Sequence, residues 1–276
     1  MSRIMLTATN TLTQLQQQMN SISNNIANID TNGYKKQNTT FTDLLTQQFN
    51  NQKDEEQEVN RLTPNGVRQG VGAKLAQTQI VMSQGSISTS DRSLDTAFTK
   101  EGQLYRVQTN NGDPIEVQYT RDGAFYLSPV SDTENMLVTK EGYSVLDENN
   151  NPIILSNKVK DYKISSTGTL TANLISGEKQ NINLGVSYAN FPQLLEKKGS
   201  NLYGIAANAE NANEILTDLD GGLRGQIAIQ QNASEKSNVD ISSEMVNLMT
   251  TQRAYQFQSR SITMADQMMG LVNGIR

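Results

Sequence analysis

Apolar residues recur near the start of the chain at alternating steps of three and four: Met5, Ala8, Leu12, Leu15, Met19, Ile22, Ile26 and Ile29. This spacing predicts a helix with one apolar seam, made to lie against another helix. No charged residue stands between Ile4 and Ile29; the remaining positions hold mostly Thr, Ser, Asn and Gln. A coiled coil in open water carries Glu and Lys beside its seam, so these flanks suit close polar neighbours instead. Asn24, Asn25, Ala27 and Asn28 close the helix, and each amide can donate and accept at a crowded interface. Asp30-Thr31-Asn32-Gly33 then predicts a stop, with Gly33 in the left-handed conformation that ends helices.

The far end repeats the theme with a difference. Asp240 is a credible N-cap for a helix running to Asn273-Gly274. One stripe on it holds Ile241, Met245, Leu248, Tyr255, Ile262 and Met269. A second holds Ala254, Phe257, Met264, Ala265, Met268, Leu271 and Val272. Two apolar faces on one helix imply neighbours on two sides. One seam alone is too little to offset the backbone entropy of ordering a long helix rich in Thr, Asn and Ser. Both ends are therefore expected to order only when copies pack together.

Between the ends the pattern changes to short alternating segments broken by turns. Leu104-Tyr105-Arg106-Val107 and Ile115-Glu116-Val117-Gln118-Tyr119 flank Asn110-Asn111-Gly112-Asp113, a hairpin signal. Further turns are expected at Arg121-Asp122-Gly123, Lys140-Glu141-Gly142, Ser166-Thr167-Gly168 and Ser176-Gly177-Glu178. The overall expectation is an α+β chain: long terminal helices forming a coiled-coil-like pair, and a compact antiparallel all-β middle. In residue terms this gives an assembly helix at 1–34, an extended arm or linker at 35–74, a β-rich outer domain at 75–232 and a second assembly helix at 233–276.

Composition narrows the chemistry. The 276-residue chain has no His, Cys or Trp, with 23 Lys+Arg against 28 Asp+Glu. Without His there is no Ser-His-Asp triad and almost no zinc chemistry; without Cys there are no disulfides. A net charge of −5 offers no basic surplus for nucleic acid. No signal peptide and no membrane-spanning run of about 20 apolar residues is expected. Asp91, Asp95, Glu101 and Asp122 show no spacing that selects a catalytic pair. Asp147-Glu148-Asn149 and Asp218-Leu219-Asp220 lack the offsets of calcium loops and read as turns. No catalytic residue, cofactor or metal is assigned.

Ser23-Asn24-Asn25-Ile26-Ala27-Asn28 followed by Thr31-Asn32-Gly33-Tyr34-Lys35 closely resembles the N-terminal signature of the bacterial flagellar rod and hook proteins. Ser237-Asn238-Val239-Asp240, Glu244-Met245-Val246 and Thr251-Gln252-Arg253-Ala254-Tyr255 resemble that family's C-terminal signature, continued by Ala265-Asp266-Gln267-Met268. Tyr119-Thr120-Arg121-Asp122-Gly123-Ala124-Phe125 resembles its middle hairpin. Two departures stand out: Gly102-Gln103-Leu104 where an aromatic run is usual, and Gln230-Gln231-Asn232-Ala233-Ser234 before the Ser-Asn-Val.

The modest middle is closer to a distal-rod protein than to a hook protein. The resemblance implies a structural subunit of the basal-body rod, the shaft linking motor to hook, and no enzyme. It implies export through the flagellum-specific apparatus, a helical polymer of identical copies, and contacts with other rod and hook proteins. A hook, cap or scaffold protein of the same apparatus is the alternative. The residues expected at the assembly interface are Met5, Leu12, Leu15, Met19, Ile22, Asn24, Asn25, Ile26, Ala27, Asn28, Ile29, Gly33 and Tyr34 at one end. At the other they are Asn238, Val239, Glu244, Met245, Leu248, Gln252, Arg253, Tyr255, Ile262, Ala265 and Met268.

Overall fold

The computed structural model describes residues 2–43, 46–49, 67–70, 73–109, 116–205 and 212–274. The chain divides into two units. One comprises Met1–Asn24, Asn38–Thr78 and Ser242–Arg276; the other comprises Asn25–Gln37 and Gln79–Ile241.

The first unit contains most of both long helices, Ser2–Ala27 and Ile241–Gly274. Along the N-terminal helix the expected seam is the covered line. Ala8 and Ile22 are buried, Met5, Leu12, Leu15, Met19 and Ile26 are half-buried, and Leu6, Gln16, Gln17 and Asn20 face outward. Thr is a mediocre helix former, but Thr9, Thr11 and Thr13 each return their hydroxyl to the carbonyl four residues back.

The C-terminal helix has two apolar faces, but sorted differently from the expectation. Its covered line runs through Glu244, Leu248, Thr251, Ala254, Tyr255, Ile262, Ala265 and Met269. Its outward line carries Met245, Val246, Met249, Phe257, Met264 and Leu271, each at least 47% exposed. Ala254 and Ala265 thus leave the second expected stripe, and Ile241 and Met245 leave the first. Apolar periodicity finds stripes but is blind to which small or polar residue lets another surface approach.

Residues expected to be a linker are partly sheet. Gln37–Asp43 pairs with Ala73–Ile80, and Thr46–Phe49 pairs antiparallel with Val67–Gly70. The polar run at 50–66 lies outside the described residues.

The second unit is antiparallel throughout. Its largest sheet runs Ile154–Ser156, Glu134–Val138, Ser144–Val145, Gln103–Thr109, Glu116–Thr120, Leu202–Ile205, Leu195–Gly199. Val186–Ala189 adds to Gln103–Thr109, Leu216–Asp218 adds to Val186–Ala189, and Tyr126–Pro129 adds to Glu134–Val138. A three-stranded sheet of Val159–Ile164, Thr169–Leu174 and Lys179–Asn183 completes one core with Phe98, Tyr105, Phe125, Leu137, Leu170 and Val186. A second core gathers Ile80, Met82, Leu104, Leu195, Tyr203 and Leu216.

The hairpin expected around residues 104–119 forms, with Val107 opposite Gln118, though its turn lies outside the described residues. Arg121-Asp122-Gly123 corrects another expectation: it forms neither a backbone turn nor a strand, and Asp122 Oδ1 accepts from Ala124 N–H at 3.1 Å. Its glycine is required because a Cβ there would lie 2.1 Å from the Thr96 carbonyl oxygen.

Candidate assembly site

Both long helices leave the second unit from one cluster of polar residues. After the N-terminal helix ends, Gly33 turns the chain at φ 66°, and a Cβ on it would lie 2.6 Å from the Asp122 backbone nitrogen. Only glycine meets both demands. Gly33 N–H donates to the Glu235 carbonyl at 2.8 Å, which joins the first segment to the last strand of the unit. That strand, Ala233–Glu235, pairs with Ile87–Thr89.

Beneath this contact lies a buried ion cluster. Glu235 Oε1 accepts from Lys35 Nζ at 2.7 Å and from Gly85 N–H at 2.9 Å. Glu235 Oε2 accepts from Arg121 Nε at 2.6 Å. Arg121 gives its other nitrogens to the carbonyls of Gln103 and Lys100 and stacks over the Phe98 ring. Lys35 Nζ also donates to the Ser83 carbonyl at 2.7 Å. The three charged side chains are at most 2% exposed.

The charges are unequal, two cations to one anion, and their titration reflects it. Burial pushes the Glu235 carboxyl up, but Arg121 and then Lys35 outweigh it and hold the group below the ordinary carboxylate range. Lys35, which shares the Glu235 carboxylate with Arg121, is pulled below its usual value by burial.

Amides complete the clasp. Asn25 donates to the Gln37 carbonyl and accepts from Gln37 N–H, so its side chain pairs with backbone as a strand would. Its oxygen also accepts from Tyr34 Oη at 3.2 Å. Asn238 accepts from Lys36 N–H and donates to the Val81 and Ser83 carbonyls. Asn201 donates to the Asn32 carbonyl, and Lys197 stands 3.8 Å above the Tyr34 ring, its ammonium pushed down to about 8 by burial. The amide contacts of Asn25, Asn238 and Asn201 thus take up backbone groups of Gln37, Lys36, Val81, Ser83 and Asn32.

The expected interface residues therefore divide. Asn25, Gly33, Tyr34 and Asn238 belong to the clasp within one chain. Met5, Leu12, Leu15, Met19, Ile26, Asn28, Ile29, Leu248, Tyr255 and Ile262 are half-buried, and Ile22, Val239, Glu244 and Ala265 are buried. Asn24, Ala27, Met245, Gln252, Arg253 and Met268 are exposed. Lys35 and Arg121 stand inside quoted motifs, but the sequence assigns neither a role. Glu235 was missed entirely, one residue past the run read as a departure.

Comparison with known proteins shows which chains this one is similar to. A family model described as flagella basal body rod protein matches residues 5–35. The flagellar hook protein FlgE/F/G D1 domain matches 104–172, and the flagellar basal body rod FlgEFG protein C-terminal region matches 230–275. The flagellar hook-basal body complex protein FlhP of Bacillus subtilis is 46% identical over 280 residues, covering all of both chains. The chain belongs to the flagellar basal-body rod protein family. The flagellar basal-body rod protein FlgG of Buchnera aphidicola (Schizaphis graminum) is 36% identical over 91% of each chain. That of Borreliella burgdorferi is 32% identical over 100% of this chain and 99% of its own. Lys35, Arg121 and Glu235 fall one in each of the three matched regions, so the clasp is where the family's separate sequence blocks meet. The protein is a structural subunit of the flagellar basal-body rod, in a family that is not an enzyme family. Among the described residues no helix is long and apolar enough to cross a membrane.

Proposed function

We propose that the chain builds the shaft between motor and hook by polymerising through its terminal helices, with the clasped β unit as the outer part of each subunit. In this reading identical copies, joined at either end of the stack by other rod and hook proteins, pair their helices in a coiled-coil-like fashion. Export precedes assembly, through the flagellum-specific apparatus. The observation that carries it is the outward apolar line of the C-terminal helix: Met245, Val246, Met249, Phe257, Met264 and Leu271 remain in water in the single chain. Moving each from half exposed to buried contributes about 1 kcal/mol, repeated at every copy. Many weak repeated contacts suit an element that transmits torque.

The test is Phe257→Glu together with Met264→Glu, which place charge on that line without touching the clasp. The variant is expected to fold and to be exported, but to leave cells without completed rods and without motility. Normal motility would overturn the reading. Locating the wild-type protein in isolated basal bodies separates a shaft, found along the rod, from a cap, found only at the growing tip.

A further inference from the structure

We infer that the Asn32–Gly33 peptide is a deamidation site that the closed clasp keeps inert. In an open chain the backbone nitrogen of a glycine after asparagine is an unobstructed nucleophile, because no Cβ shields it. It loses its proton and attacks the Asn side-chain carbon. The new C–N bond closes a five-membered succinimide, and the amide nitrogen leaves as ammonia. Water then opens the ring to aspartate or to isoaspartate, in which the backbone runs through the former side chain.

The structure obstructs every part of this step. Gly33 N–H is tied to the Glu235 carbonyl at 2.8 Å, and the Asn32 carbonyl accepts from Asn201 Nδ2 at 2.9 Å. Gly33 is buried, with the Arg121–Asp122 backbone filling the space where its Cβ would be. Closing the succinimide requires swinging that nitrogen off Glu235 and reorienting the peptide plane that Asn201 holds. The glycine that exposes the chain to this reaction is also the residue the clasp requires at φ 66°. The hazard is therefore built into the fold, and folding is its only protection. An isoaspartate at residue 32 adds a backbone carbon and displaces Gly33 from Asp122 and Glu235, so a chain damaged before folding is marked as unable to close.

Full-length protein incubated in buffer and in concentrated urea, at the same mildly alkaline pH and temperature, tests this by peptide mapping of isoaspartate. The three other Asn–Gly steps, 65–66, 111–112 and 273–274, are read separately in the same digest. Modification at Asn32 is expected to be at least about tenfold slower in buffer than in urea, because reaction waits on local opening. Asn201→Ala, shown folded by circular dichroism, is expected to raise the rate in buffer alone. Asn32→Gln is expected to abolish the signal in urea without unfolding the chain. Equal rates at Asn32 in buffer and urea for folded wild type, or no reaction at Asn32 in urea, would overturn the inference.

Discussion

The clasp and the C-terminal helix treat water in opposite ways. In the clasp polar and charged residues turn inward: Asn25, Lys35, Arg121 and Glu235 are 3% exposed or less, each with partners in the same chain. On the helix, large apolar residues turn outward; Phe257 is 67% and Leu271 69% exposed. The clasp satisfies its charges within the chain, while the helix leaves apolar area that only another surface can remove from water. One set of residues closes the monomer; the other, in the function proposed above, joins it to others.

The sharpest way to break this contrast is Glu235→Gln. It leaves Lys35 and Arg121 buried without their carboxylate and is expected to cost about 3–5 kcal/mol in urea unfolding. The same variant gives a pH test. Glu235 is held below its ordinary value of 4.5, so its contribution is complete above that pH and is lost as the pH falls below it. Asp122, whose carboxyl burial pushes up, acts in the opposite direction in both proteins. The stability difference between wild type and Glu235→Gln is therefore expected to shrink on acidification below 4.5; a constant gap would remove Glu235 as the ionised centre of the clasp.

Gly33→Ala comes next, at about 2–4 kcal/mol, from a left-handed backbone and a Cβ driven into the Asp122 peptide. Tyr34→Phe removes one buried hydrogen bond to Asn25 and is expected to cost about 1 kcal/mol. Smallest in stability is Phe257→Glu, expected to stay within about 0.5 kcal/mol of wild type while rod assembly fails. A large thermal shift in that last variant would show that the helix face is not free in the single chain.

How legible all this was depends on the distance over which each feature is encoded. Both helices were readable because a period of 3.6 and local stop signals suffice; Asp240 directly precedes the observed helix, and Gly33 takes its left-handed turn. The turns at Gly142, Gly168 and Gly177 announced themselves the same way, each with positive φ. The clasp did not. Lys35 and Glu235 are 200 residues apart, and Arg121 is 114 from Glu235, so no window of sequence contains the pair that makes either charge meaningful. Charges in polar surroundings default to surface, and Arg121-Asp122-Gly123 has the composition of a turn whatever packs on it. The strands within 37–80 were hidden for a related reason: few of their residues are apolar, so pairing leaves no alternating trace.

The span between Lys35 and Glu235 sets a schedule as well as a structure. A polypeptide made end-first reaches the second half of this lock 200 residues after the first. Until then the early portion lacks its counter-ion and stays pliable, and non-local closure of this kind is slow. The lock therefore closes late, once most of the chain is in place.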